Sequence, residues 1–171
     1  MRWMWIDAIV DFEPETRLVA VKNVSLSEDH LHDHFPEEPG LRAMPLMPNS
    51  LIVEGMAQTA GILVGSVNRF REKVVLAKIT RASIERDVIP GRTIRYTARL
   101  EQHDAAGAAT SGSIEMLDHA TGQWSGIGLV DLVFSHIDQN MSGMEFPDHN
   151  FVFSDNFRNI LHAAGLEDLC D

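Results

Sequence analysis

Apolar residues in the first part of the chain come in short runs. Residues 3–10 form one and residues 17–25, RLVAVKNVS, a second. In the second, Leu18, Ala20, Lys22 and Val24 alternate with Val19, Val21 and Asn23, the period of two expected of a strand buried mainly on one face. The EPET between the runs supplies turn residues, so the pair predicts a hairpin. From 28 to 49 the pattern stops. Acids, histidines and the prolines Pro36, Pro39, Pro45 and Pro48 predict a long loop with neither regular helix nor inner strand. Ordered loops of that length in compact domains tend to be functional.

Asn49 or Ser50 then offers an N-cap for LIVEGMAQTAGILVGSVNRF, predicting a helix over about 50–68. From Leu51 to Gly65 its strongly polar side chains are Glu54 and Gln58, spaced i,i+4 on one face, while apolar residues cover much of the circumference. A helix apolar nearly all round is a buried one. It is short and interrupted by Gly55, Gly61 and Gly65, which argues against a membrane span. The remaining pattern predicts strands at 74–86, 92–103, 108–118 and 124–136, broken by IPG, DAAG and HATGQ. Connections this short make the strands antiparallel. The expected architecture is α+β, a curved antiparallel sheet wrapped around a long central helix. Residues 1–136 would form that domain. Residues 137–171 would form a C-terminal extension whose short helix, about 156–169 and capped by Ser154 or Asp155, packs on the same domain.

Composition sharpens this picture at three points. Fourteen Lys+Arg against twenty-five Asp+Glu, a net charge of −11, exclude a sequence-independent phosphate binder, and no nucleic acid partner is expected. The charge is unevenly placed: residues 69–99 carry nine bases and three acids, a basic block in an acidic chain and a candidate docking feature. The single Cys170 has no intrachain mate, and the first residues acquire Asp7 and Asp11 too early for a signal peptide. A cytoplasmic protein is expected.

Two features carry candidate chemistry. Glu54 is a carboxylate in an apolar helix, placed in the predicted first turn. There the macrodipole favours the anion while burial favours the acid, the balance expected of a tuned acid/base or of a cap. EDHLHDHFPEEP carries His30, His32 and His34, which an extended segment would present on one side. A compact fourth-ligand pattern is missing, so no metal is assigned, and acid/base work or a plain surface position is expected for at least one of them. No G-x-S-x-G, G-x-G-x-x-G or Walker pattern occurs, so no cofactor is expected.

The order of these features resembles a known family. VAVKNVSLSEDHLHDHFPEEP, then MPNSLIVEGMAQTAGIL, then LAKITRASIERDVIPGRTIRYTARLE is similar to the 3-hydroxyacyl-[acyl-carrier-protein] dehydratases of the FabZ/FabA hot-dog family over about residues 5–136. The resemblance implies the hot-dog fold, reached independently above from the strand and helix pattern. It implies that His34 matches the catalytic histidine and Glu54 the catalytic carboxylate. Glu54 with the following MAQ favours the FabZ-like branch over the isomerising one. The sequence departs from the family at Asp33 and Asn49, which replace glycines, and in GLRAMPL, which lengthens the stretch between His34 and Glu54.

What the resemblance implies for chemistry is loss of water from a 3-hydroxyacyl thioester. A neutral imidazole, with an ordinary pKa of about 6.5, takes the α-proton, and a carboxylic acid protonates the departing hydroxide. Main-chain amides near Asn49 and Ser50 would donate to the enolate oxygen, with Gln58 supporting the acid. Phe35, Met44, Met47 and Pro48 would line the acyl site. In the family the histidine and the acid come from different subunits, which implies a homodimer with composite sites and allows a trimer of dimers. The expected partner is acyl carrier protein, an acidic molecule, docking on Arg69, Arg71 and Lys73 of the basic block. Two other readings share the fold: an acyl thioesterase, and a non-catalytic acyl-binding or assembly subunit.

Overall fold

The strands reverse where aspartates meet free amides. Asp104 Oδ1 accepts hydrogen bonds from the N–H groups of Ala106 and Gly107 at 2.8 and 3.2 Å. Asp118 accepts from the Ala120 N–H at 2.9 Å and the Thr121 hydroxyl at 3.0 Å. These bonds favour the charged carboxylates and hold both below the usual range. The computed structural model describes residues 3–137, 153 and 155–170. In chain order the elements are β1 (Ala8–Glu13), β2 (Arg17–Asn23), α1 (Asp29–Asp33), α2 (Asn49–Val67), β3 (Lys73–Ile84), β4 (Thr93–Asp104), β5 (Gly107–Asp118), β6 (Gln123–Ile137) and α3 (Asp155–Ala163), followed by a 3₁₀ turn, Glu167–Cys170.

The six strands form one antiparallel sheet in the order β1-β2-β4-β5-β6-β3, and α2 packs against β2 through β6. This is the hot-dog fold. Alternation decides which face turns inward: along β5, Ala108, Thr110, Gly112, Ile114 and Met116 are buried, and the residues between them are partly exposed. Bulges help the sheet curl. The one in β4 between Leu100 and Gln102 changes the strand's phase, so that Leu100 faces Thr110 and His103 faces Ala108, both inward positions. By length and composition α2 is apolar enough to cross a membrane, but the sheet encloses it and most of its residues are buried. Its polar side chains are satisfied locally. Thr59 donates to the Gly55 carbonyl at 2.7 Å and Ser66 to the Leu63 carbonyl at 2.6 Å.

Gly55 is where close approach is required. A Cβ there would lie 2.4 Å from the Tyr96 hydroxyl and 2.8 Å from the Trp5 carbonyl oxygen. Its absence lets β4 and the N-terminal segment press onto α2. Lys22, on the inward face of β2, is kept charged by an ion pair to Asp7 at 3.1 Å and a second, shorter one to Glu28.

Several sequence expectations change. The 28–49 segment is not helix-free: α1 occupies Asp29–Asp33 and ends before Pro36, whose ring bars its continuation. His30 and His32 therefore sit in a helical turn, and the extended geometry behind a three-histidine cluster is absent. The N-cap of α2 is Pro48, with Asn49 already helical, so Glu54 falls in the second turn rather than the first. The C-terminal helix stops at Ala163. Gly165, at φ 70°, turns the chain before the 3₁₀ segment, dividing what the sequence pattern joined. Ser154 lies outside the described residues.

Candidate active site

The histidine offered as the base closes α1. His34 is its C-cap, in extended conformation, and Phe35 follows at φ 56°. That turn stacks the two rings, with centroids 4.2 Å apart. The GLRAMPL stretch folds back rather than hanging free. Glu38 and Leu41 form a two-residue bridge around Gly40 at φ 85°, and the Met44 N–H donates to the Phe35 carbonyl at 3.0 Å. This return delivers the Leu46 carbonyl to His34 Nδ1 at 2.6 Å. A carbonyl only accepts, so Nδ1 carries the hydrogen, and in the neutral ring Nε2 presents the lone pair. That is the tautomer a general base needs.

Glu54 is half-buried and held from two sides. Trp3 Nε1–H and Gln58 Nε2–H both donate to its Oε1, at 3.1 and 3.0 Å. Gln58 is itself fixed: its second amide hydrogen goes to the Trp3 carbonyl at 3.2 Å, and its Oε1 accepts from the Trp5 N–H at 2.9 Å. Oε2 of Glu54 makes no hydrogen bond among the described residues. The Trp3–Trp5 segment reaches α2 because Gly55 leaves room for the Trp5 backbone. Trp5 packs edge-on against His30 at 4.9 Å, and burial pushes the His30 ring's pKa down.

Glu54 and Gln58 form the polar end of a cavity of about 370 Å³. The rest of its wall is mostly apolar: Ala57 and Gly61 of α2, Val74 to Leu76 of β3, Phe134 of β6, and Phe153 and Phe157 from the C-terminal extension. Gly65 makes this packing possible, since a Cβ there would meet Phe153 at 2.6 Å and Phe70 at 2.7 Å. The sequence reading singled out Glu54 and Gln58 but missed Trp3, Phe153 and Phe157. No sequence signal joins Trp3 to Glu54, since fifty residues separate them.

The remaining candidates fall elsewhere. His34 does not line this cavity within one chain, and neither do Phe35, Met44, Met47 or Pro48. Phe35 and Met44 are exposed, while Met47 is buried in the core, its N–H bonded to the Val88 carbonyl at 2.8 Å. Asn49 and Ser50 are exposed, and their backbone N–H groups, the first of α2, have no acceptor among the described residues. Arg69 and Arg71 are exposed in the α2–β3 turn, and Lys73 opens β3. None of the three has an ion-pair partner among the described residues.

The helix enclosed by a curled antiparallel sheet defines a hot-dog protein, and Glu54 and Gln58 stand at the polar end of its cavity. The chain belongs to the FabA-like domain family, whose model matches residues 2–118. It is 35% identical over 112 residues to a 3-hydroxyacyl-[acyl-carrier-protein] dehydratase FabZ of Solibacter usitatus, covering 64% of this chain and 65% of that protein. The chain thus spans just under two thirds of that relative's length. Among solved structures, the ApeI:P dehydratase heterocomplex of Xenorhabdus doucetiae shares the fold at TM-score 0.59 and 14% identity, covering 80% of this chain and 84% of that one. An acyl-CoA hydrolase of Staphylococcus aureus does so at TM-score 0.56 and 15% identity, covering 91% and 95%.

Proposed function

We propose that the protein dehydrates 3-hydroxyacyl thioesters carried on acyl carrier protein to trans-2-enoyl thioesters, in fatty-acid or related lipid synthesis. The observation that carries the reading is the His34 tautomer. The Leu46 carbonyl commits Nδ1–H and leaves Nε2 free to take a proton from the carbon next to the thioester. As that C–H bond breaks, electron density moves onto the thioester oxygen, where the free N–H groups of Asn49 and Ser50 at the positive end of α2 are available. The density returns as the carbon–oxygen bond at the 3-position breaks. Glu54, held through Oε1, supplies the proton from Oε2 that converts the leaving hydroxide to water. His34 has then gained one proton and Glu54 lost one, and solvent exchange restores both.

The site is composite, formed by two copies of the chain. Within one copy the cavity reaches Glu54 but not His34. The β3 edge supports a partner as well. Every residue from Leu76 to Ser83 is exposed, Leu76 at 40% and Ile79 at 46%, along a long edge strand with one side of its backbone unpaired. Natural proteins seldom leave such an edge uncovered. The β3 residues Val74, Val75 and Leu76 also line the cavity, so covering that edge would complete the acyl channel.

The test is turnover of a 3-hydroxybutyryl or crotonyl thioester by wild type, His34→Ala and Glu54→Gln. Each variant should lose about 10²–10⁴-fold in kcat. Mixing and refolding the two inactive variants should restore roughly a quarter of wild-type activity, since a twofold-symmetric heterodimer rebuilds one of its two sites. No turnover by wild type on any chain length defeats the dehydratase reading, and release of free acid in place of enoyl product replaces it with a thioesterase. Inactive variants that fail to complement on mixing defeat the composite site.

A further inference from the structure

Glu72, His103 and His136 lie far apart in sequence and come together at the end of α2 opposite Glu54. The bulge in β4 turns His103 inward, where it faces Ala108 of β5. His136, near the end of β6, has its N–H bonded to the Ala106 carbonyl at 3.3 Å and its side chain buried. The two rings approach to 5.1 Å between centroids. Glu72, between α2 and β3, brings Oε2 to 3.2 Å from His136 Nδ1. Asn68 Nδ2–H donates to that same oxygen at 2.8 Å and orients the carboxylate. One donor atom from each of the three residues lies within 4.8 Å of the other two.

Two buried ring nitrogens in this cluster, Nε2 of His103 and Nε2 of His136, have no hydrogen-bond partner among the described residues. Leaving such groups unpaired is costly, and native interiors seldom do it. A cation seated among the three residues would take one lone pair from each ring, on His136 that of Nδ1, the nitrogen facing Glu72. Two imidazoles and a carboxylate are the donor set of a three-coordinate protein site for zinc, with a fourth position for water, and imidazole suits zinc and its transition-metal neighbours better than calcium or magnesium. The Asn68 bond to Glu72 is the kind of outer contact that holds a ligating group in place.

We infer that Glu72, His103 and His136 form a binding site for a divalent transition cation, zinc foremost, which ties the α2–β3 turn to β4 and β6. The site is separate from the acyl cavity, of which none of the three residues is a lining residue, and it does not depend on the dehydratase reading. Its role is structural: an ion that binds only the folded chain stabilises it in proportion to its saturation.

The test uses the full chain stripped with a chelator and titrated with Zn²⁺ alone by calorimetry, with thermal melts alongside. Expected are one ion per chain, a melting temperature that rises with Zn²⁺ and falls back on adding chelator, and visible absorption on Co²⁺ substitution characteristic of low coordination number. His103→Asn, whose ring sits nearest the surface, should abolish the isotherm while keeping the wild-type circular dichroism. His119→Asn, an exposed histidine outside the cluster, should leave it unchanged. A folded wild type without a one-ion isotherm overturns the inference and needs no variant to do so. So does an isotherm that survives in folded His103→Asn.

Discussion

Adding one methyl group at Gly55 and one at Gly61 should have opposite effects, although both lie in α2. At Gly55 the new carbon would meet the Tyr96 hydroxyl at 2.4 Å, its Cζ at 2.5 Å and the Trp5 carbonyl at 2.8 Å. Tyr96 is fully buried and cannot swing away. Trp5 O is main chain in a segment whose N–H is already tied to Gln58. Overpacking of this kind costs about 1–3 kcal/mol, against about 0.5–1 kcal/mol gained by replacing a helical glycine with alanine. The net expectation for Gly55→Ala is a loss of about 1–2 kcal/mol. At Gly61 the nearest atom is Phe134 Cε1 at 3.8 Å, an ordinary contact, so Gly61→Ala should gain about 0.5–1 kcal/mol. Urea denaturation at fixed chain concentration reads both. With slopes of about 1–3 kcal/mol/M, the two midpoints should separate on the order of 1 M with little change in slope. Gly55→Ala should also lower activity below what its folded fraction explains, because moving Trp5 moves Gln58 and with it Glu54. Two variants shifted in the same direction, or a Gly55→Ala protein as stable as wild type, would refute this account of how the N-terminal segment docks.

Three further outcomes can be measured. Burial depresses the Lys22 pKa, but the Glu28 and Asp7 carboxylates outweigh it and leave the value raised above 10.5. Because the folded value exceeds the unfolded one, this contribution is complete below about pH 10.5 and is lost as pH rises through the raised value. The wild-type urea midpoint should therefore fall in that alkaline window, and Lys22→Met should be flatter there while less stable at neutral pH. Trp3→Phe keeps an aromatic side chain, though a smaller one, and removes the Nε1–H donor to Glu54. It should lower kcat with little change in the urea midpoint, and equal kcat would show that the bond does not position the acid. Charge reversal at Arg69, Arg71 and Lys73 should raise KM for a carrier-linked substrate at low salt while sparing a small thioester analogue. Equal KM values for the carrier-linked substrate would return this segment to an ordinary solvated face.

Much of the fold was legible because its signals are local. Asp104 of the DAAG turn and Asp118, just before HATGQ, cap their own hairpins, and the apolar run after Pro48 is a helix the sheet encloses. α1 was hidden because prolines and histidines dominate its neighbourhood, although Asp29–Asp33 itself contains no breaker. Bulges leave no mark in an alternating pattern, and the one in β4 is what sends His103 inward. The same limit applies to the sites. Glu54 and Gln58 stand out as an i,i+4 polar pair in an apolar helix. Trp3 meets them through tertiary packing, and Glu72, His103 and His136 meet only because three elements end at one place. Spacing in sequence carries no trace of either encounter.

The bond from His34 to the Leu46 carbonyl closes a ring of chain around the GLRAMPL stretch. Closing a loop costs entropy that grows only with the logarithm of its length, so several added residues weaken such a ring very little. What the ring must preserve is where it ends, not how far it travels. Natural variation can therefore lengthen, shorten or decorate this stretch, and so reshape the rim that incoming molecules meet, while the orientation of the imidazole is inherited unchanged.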